Sequence, residues 1–401
     1  MDRRTQRGHH SGGTDAAGRP RWFLPAIVAA QLLATSMWFA PNAVMPALQA
    51  HWDVPGGVGW VTAAVQLGFI AGTLVNALLA VADRFHPGRV FLVAALAGAS
   101  ANAAVIPLAD QAVAVVVARF VVGVCLAGIY PVGMKIAAGW YREGLGRALG
   151  FLVGALVLGT ASGHLLRSIL PGALWPLVIA ATSLAGVVAG AVMALAPEGP
   201  HLARSGPVRF GGVFLAFRSP AFRASAFGYF GHMWELYAFW AFAPVWFAAH
   251  GSDPRAIPLL AFGVIAMGAL GCAGGGLLAR RWGSGRVAWV QLLVSGVCCA
   301  LSPLIFQAGP TAFVGILLVW GIAVAGDSPQ FSTLNAANAP RELVGSALTL
   351  VNSVGFAISI VTLGLLDWLQ FVLPARYLLT PLVIGPLLGL IAARRLLRPA
   401  A

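Results

Sequence analysis

The chain is short of charge. Only 9% of its 401 residues are Asp, Glu, Lys or Arg, against a hydrophobic share of 59%, whereas a soluble domain carries roughly 25% charged residues. Together with a mean hydropathy of +0.85, this excludes a water-soluble fold. Lysine is all but missing: Lys135 is the single one, so the positive charge is nearly all arginine. The four cysteines, Cys125, Cys272, Cys298 and Cys299, fall in apolar stretches with no Cys-x2-Cys and no Cys/His ligand spacing. That excludes a disulfide framework or a zinc site and leaves them as packing residues. His-Glu-x2-His, Gly-x-Ser-x-Gly and Asp-rich clusters are absent as well, so no enzyme, metal or cofactor is expected. The net charge of +13 does not mark a nucleic-acid binder, because the arginines stand at the ends of apolar runs rather than on one face. Membrane orientation and anionic lipid account for that placement.

What the chain does have is long apolar runs, each near the ~20 residues that a bilayer crossing needs. Twelve are expected: 23–46, 58–82, 90–108, 111–140, 147–166, 174–195, 224–249, 256–279, 287–306, 311–335, 343–369 and 377–393. The organisation that follows is a disordered tail (1–21), a six-helix bundle (22–196), a linker (197–223), a second bundle (224–396) and a short tail (397–401). The linker is polar, with an amphipathic piece at 210–217 suited to the membrane surface. Arginines mark one side of the expected membrane: Arg84 and Arg89, Arg142 and Arg147, Arg204 to Arg223, Arg280 to Arg286, Arg341, and Arg394 to Arg398. The positive-inside rule makes that side cytoplasmic, with both termini on it, in an inner or plasma membrane. A monomer in the bilayer is expected.

The chain also repeats itself. Gly123-x4-Gly128-x2-Pro131 returns as Gly321-x4-Gly326-x2-Pro329, and Arg142-Glu143-x2-Gly146-x-Ala148-Leu149 as Arg341-Glu342-x2-Gly345-x-Ala347-Leu348. Gly88-Arg89-Val90 returns as Gly285-Arg286-Val287. Offsets near two hundred residues, in equivalent runs, make two pseudo-symmetric six-helix halves.

On these residues the chain resembles the major facilitator superfamily. The turn after the second run, Ala77-Leu78-Leu79-Ala80-Val81-Ala82-Asp83-Arg84-Phe85-His86-Pro87-Gly88-Arg89, is similar to that family's Gly-x-Leu-x-Asp-Arg-x-Gly-Arg, with one extra residue and no leading glycine. Arg119-x3-Gly123 resembles its fourth-helix motif. The resemblance implies an all-α fold of twelve transmembrane helices whose two bundles rock about a central site. It also implies a cytoplasmic latch, to which Asp83, Arg84, Arg89, Arg142, Glu143, Arg341 and Glu342 are assigned, with simple topology setting as the alternative for Arg84, Arg89 and Arg142.

An ionisable group inside a membrane run is costly, and so is a functional candidate. Arg119 and Lys135 qualify in the fourth run, Glu235 in the seventh with His232 one turn before it, and Asp327 in the tenth. Lys135 is close enough to its run's end to snorkel instead. Cations lie in the first half and carboxylates in the second, which suggests a proton-coupled carrier. Arg119 or Lys135 would attract an anionic or polar organic solute, while Glu235 or Asp327 exchanges a proton driven by the membrane gradient. The competing reading is that these charges neutralise one another. Tyr130 and Trp234 adjoin the charges and are expected at the solute pathway, with Tyr237, Trp240, Trp320, Asn42, Gln66, Gln330 and Asn352 as further lining candidates. A drug/proton antiporter is the alternative, suggested by the glycine-rich fifth run, which lacks the Gly-Pro step of such proteins. A transporter-like sensor is more remote.

Overall fold

A computed structural model describes residues 22–52, 56–141, 145–170, 174–202 and 213–397, without the side chains of 145–147, 213 and 341. Helices build all of it, and no strand occurs among the described residues. Among the described residues, eight helices are long and apolar enough to cross a membrane. The other four spans fall short for identifiable reasons. The third, Pro87–Ala103, and the ninth, Ser284–Ala300, have 17 residues each, about 26 Å of helix. The seventh, Pro220–Ala249, runs for 30 residues, but its aromatics, His232 and Glu235 dilute its hydropathy. The first is cut into Phe23–Thr35, Ala40–Ala43 and Met45–Gln49.

The remaining spans are the second, Val58–Leu78, the fifth, Leu145–Ile169, the sixth, Trp175–Ala194, the eighth, Ile257–Trp282, and the eleventh, Val344–Leu369. The twelfth runs from Ala375 to Leu397 around the helix Ile384–Ala393. Two spans expected to be continuous are broken at matching places. The fourth consists of Ala112–Ala127 and Tyr130–Trp140, and the tenth of Pro310–Gly326 and Ser328–Asn338. Each break comes just before the repeated proline, Pro131 or Pro329, which has no N–H to carry the ladder across and crowds the turn before it. Pro244, by contrast, lies inside an unbroken seventh span, as neighbouring helices in a membrane allow.

The halves copy each other in packing too. A Cβ placed on Gly68 would drive into the Phe120 carbonyl oxygen, and one on Gly123 into that of Val65. In the second half, Gly271 meets the Ile322 carbonyl in this way and Gly321 that of Val264. Only glycine lets the second and fourth backbones, and likewise the eighth and tenth, approach so closely. The two halves then join where the second span packs on the eleventh and the fifth on the eighth.

The linker's described helix is four residues long, Val213–Ala216, followed by a turn at Phe217; residues 210–212 of the expected amphipathic piece, like the tail at 1–21, lie outside the described residues.

Candidate functional site

The site is built from the breaks. Past Thr35, where the first span stops, the Met37 and Trp38 carbonyls belong to no helix and need a partner from elsewhere. Arg119 supplies one from the fourth span: Nη2 donates to the Met37 carbonyl at 3.0 Å and to that of Trp38, and Nη1 to Asn102 Oδ1 at 3.1 Å. Asn102 in turn donates to Thr182 Oγ1, Ser183 Oγ and the Ile179 carbonyl, at 3.1, 2.9 and 3.2 Å. Arg119 is fully buried. Its guanidinium is occupied by protein, a cation at a helix C-terminus, and what it holds is the backbone that carries Trp38.

Trp38 stands on the seam between the halves. Its ring lies 5.0 Å from Phe69 of the second span, and 6.0 Å, nearly parallel, from both Tyr237 of the seventh and Phe356 of the eleventh. Phe69 and Phe356 are 4.7 Å apart, and Trp240 meets Tyr237 edge-on at 5.7 Å. Trp38, Phe69 and Phe356 were not among the sequence candidates. Tyr237, Trp240, Asn42 and Gln66 were, and all four are buried.

In the second half two acidic groups, Asp327 and Glu235, are buried with different partners. His232 Nδ1 and Asp327 Oδ1 are 2.7 Å apart and both residues have no exposure. The approach is an ion-pair distance set off the axis of a good hydrogen bond. Asp327 occupies the break of the tenth span itself, between Gly326 and Ser328. Glu235 turns instead to the ninth span, where Oε2 accepts from Ser295 Oγ at 2.7 Å and Cys299 Sγ at 3.2 Å. Trp320 Nε1 donates to the same Ser295 oxygen at 2.9 Å. Ser295 and Cys299 are i and i+4, so one helix face supplies both donors.

Of the other expected pathway residues, Tyr130 begins the second helix of the broken fourth span and packs against the core. Trp234 is not brought to the seam: its Nε1 donates to the Pro381 carbonyl at 3.1 Å, against the twelfth span. Lys135 lies midway along Tyr130–Trp140, where Nζ donates to the Ala82 carbonyl at 2.8 Å and pairs with Asp83. That pair therefore belongs to the turn after the second span, a turn reached through Ala80 at φ +48°, a left-handed conformation unfavourable for a residue with a Cβ. Arg84, Arg89 and Glu342 are exposed around this face. Arg142, Glu143 and the Arg341 side chain lie outside the described residues.

On the opposite face Asp367, near the end of the eleventh span, accepts from the Gly59 N–H at 3.1 Å. This carboxylate sits at the N-terminus of the second span, which the helix dipole favours, and ties one half to the other.

Twelve spans in two repeated halves, with ionisable groups buried inside them, are the architecture of a membrane carrier. The sequence fits the model of the Major Facilitator Superfamily over residues 27–363, and the chain belongs to that family. It is a secondary transporter by that membership. Among solved structures it is similar to the nucleoside transporter NupG, at 12% identity and a TM-score of 0.71, with 94% of this chain and 100% of that one covered. It is also similar to FucP, the fucose:proton symporter of E. coli, at 13% identity and 0.64, covering 94% and 98%, and to an outward conformation of FucP at 12% and 0.65, covering 94% and 99%. At these identities the likeness is one of fold. No curated protein matches the sequence.

Proposed function

We propose that the chain carries a small polar organic solute across the membrane in exchange or company with a proton, and that the His232–Asp327 pair holds that proton. The observation that carries this reading is the setting of the pair: two titratable groups 2.7 Å apart, neither exposed, at the point where the tenth span is broken. A bare carboxylate is costly there unless it is paired or protonated. Next to an imidazole it has both options: holding the proton makes the pair neutral, as aspartate with imidazolium or aspartic acid with imidazole, and releasing it leaves a single net negative charge, so the two states differ by one charge. A charge change in a helix break acts where the backbone is free to bend, and a ligand shifts a conformational equilibrium only by interacting differently with its two states. Glu235 already has two donors, and its role in this reading is to knit the seventh, ninth and tenth spans. That the same fold works with a proton in the E. coli fucose:proton symporter supports the reading. The arginine-rich face would be cytoplasmic, with both termini on it.

The test is transport in proteoliposomes with an imposed pH gradient. At one proton per solute, one pH unit supports about tenfold accumulation, since ~1.4 kcal/mol is a factor of ten. Asp327→Asn should abolish that accumulation while leaving solute exchange between the two sides without a gradient. Gradient-driven accumulation at the native level in Asp327→Asn would sink the proposal.

A further inference from the structure

We infer that the solute is an uncharged ring bearing several hydroxyl groups, held at the seam by the Trp38, Phe69, Tyr237 and Phe356 rings and hydrogen-bonded by Gln66. The inference rests on the carrier reading above and adds the chemistry of what is carried. Charge argues first. An anionic solute needs a free cation, and the one fully buried arginine or lysine among the described residues, Arg119, is taken by two backbone carbonyls and Asn102. Lys135 is taken by Asp83. A cationic solute needs a free carboxylate, but Asp327 faces His232 and Glu235 faces Ser295 and Cys299. Asp367, on the far face, faces the Gly59 N–H and Gln370.

Arg119 Nε, Glu235 Oε1 and both Asp327 oxygens also lack a hydrogen-bond partner, but they belong to groups already engaged; the unpartnered atoms around the Trp38 cluster are neutral ones. Thr62, Gln66 and Phe69 lie along one stripe of the second span, at i, i+4 and i+7. At one end of the stripe Asn42 donates to Thr62 Oγ1 at 2.7 Å, and at the other Phe69 meets Trp38 and Phe356. Gln66 stands between them, wholly buried, with no partner for either its amide nitrogen or its oxygen. Asn42 Oδ1 and Trp38 Nε1, on residues that touch the ends of this stripe, and Trp240 Nε1, on the ring that meets Tyr237, are also buried without partners. Buried polar groups are nearly always satisfied, so four residues around one seam, each with an unpartnered polar atom, point to a ligand. They present both donors and acceptors, which hydroxyl groups answer in either sense. The ring faces supply the apolar surface that a sugar or nucleoside ring stacks on. A purely apolar solute would leave the amide of Gln66 stranded.

Binding to the purified full-length protein in detergent tests this without any gradient, so failure of proton coupling would not affect the outcome. Thermal unfolding would be followed with a panel of hexoses and nucleosides as the two uncharged arms, and with benzoate and tetraethylammonium as the charged ones. The expected result is stabilisation by members of one uncharged arm, which also names the source, and none by the ions. Gln66→Leu keeps the volume and removes an unpartnered amide, so it should fold as stably as the native protein and bind the same compound about tenfold more weakly. Phe356→Ala is the second variant, expected to weaken the same compound through lost stacking. Stabilisation by an ion alone, silence from every uncharged compound, or unchanged binding in Gln66→Leu would each overturn the inference.

Discussion

Replacing Arg119 separates two roles that the sequence alone leaves open. If its guanidinium fastens the broken first span, Arg119→Met leaves three buried acceptors unsatisfied: the Met37 and Trp38 carbonyls and Asn102 Oδ1. In a water-soluble core each would cost about 1–3 kcal/mol. In a bilayer the unfolded reference finds partners of its own, and polar contacts average nearer ~0.6 kcal/mol, with about 1.7 as an upper value. Three such losses come to about 2–5 kcal/mol, reduced by relief of the desolvation that a buried cation carries. A net loss of about 2–3 kcal/mol is expected. Arg119→Lys should recover only part of it, since an ammonium on a flexible stem cannot reach three acceptors arranged around a planar fork. The assay is reversible unfolding in mixed micelles, with solute binding measured in parallel. Because Trp38 is what the fastener holds, binding should weaken along with stability in Met and return partly in Lys. A Met variant that unfolds like the native protein but has lost solute binding would refute the fastener role and restore Arg119 as an anion anchor.

Three further outcomes follow from the geometry. Lys135→Met and Asp83→Asn should be non-additive, with a coupling energy of about 1 kcal/mol in a double-mutant cycle, modest because both side chains keep some exposure; strict additivity would mean the pair contributes nothing. Asp367→Ala removes an acceptor for the Gly59 N–H that bridges the halves, so that face should open more often. A loss of about 1 kcal/mol corresponds to a roughly fivefold shift in population, readable as faster labelling of a cysteine placed at Gln49, and unchanged labelling would contradict it. Gly68→Val and Gly271→Val should both prevent close packing of their span pairs and lower the yield of folded protein, with Gly150→Ala, which meets open space, as the neutral control.

Much of the architecture is legible in the sequence because hydropathy and arginine placement report directly on the bilayer. The twelve runs and the two-half repeat correspond to spans in the structure, and Gly123 with Gly321 are the positions where backbones touch. The helix breaks are less legible. A proline in a membrane helix can be absorbed by its neighbours, as Pro244 is, or can end a helix, as at Pro131 and Pro329, and packing decides which. The first span's break is marked by no breaker within Ser36 to Phe39, so the partners of Arg119 could not be named, although Asn102 in mid-span is a polar residue that needed a partner. Sequence adjacency misled at Trp234: beside Glu235 in the chain, it points about 100° away around the helix and meets the twelfth span. The i, i+4 spacing of Ser295 and Cys299 was a usable signal for the donors to Glu235. The Trp38 cluster, drawn from four spans and both halves, had none.

The central claim is that a proton held by His232 and Asp327 is coupled to solute movement. It is tested most directly by recording proton entry into proteoliposomes with a trapped pH-sensitive dye when solute is added outside, in native protein and in Asp327→Asn. The account predicts a solute-dependent pH change inside the native vesicles and none in the variant, while labelled solute still equilibrates in both. Solute-driven proton movement of native size in Asp327→Asn, or solute movement without any proton signal in the native protein, would contradict it.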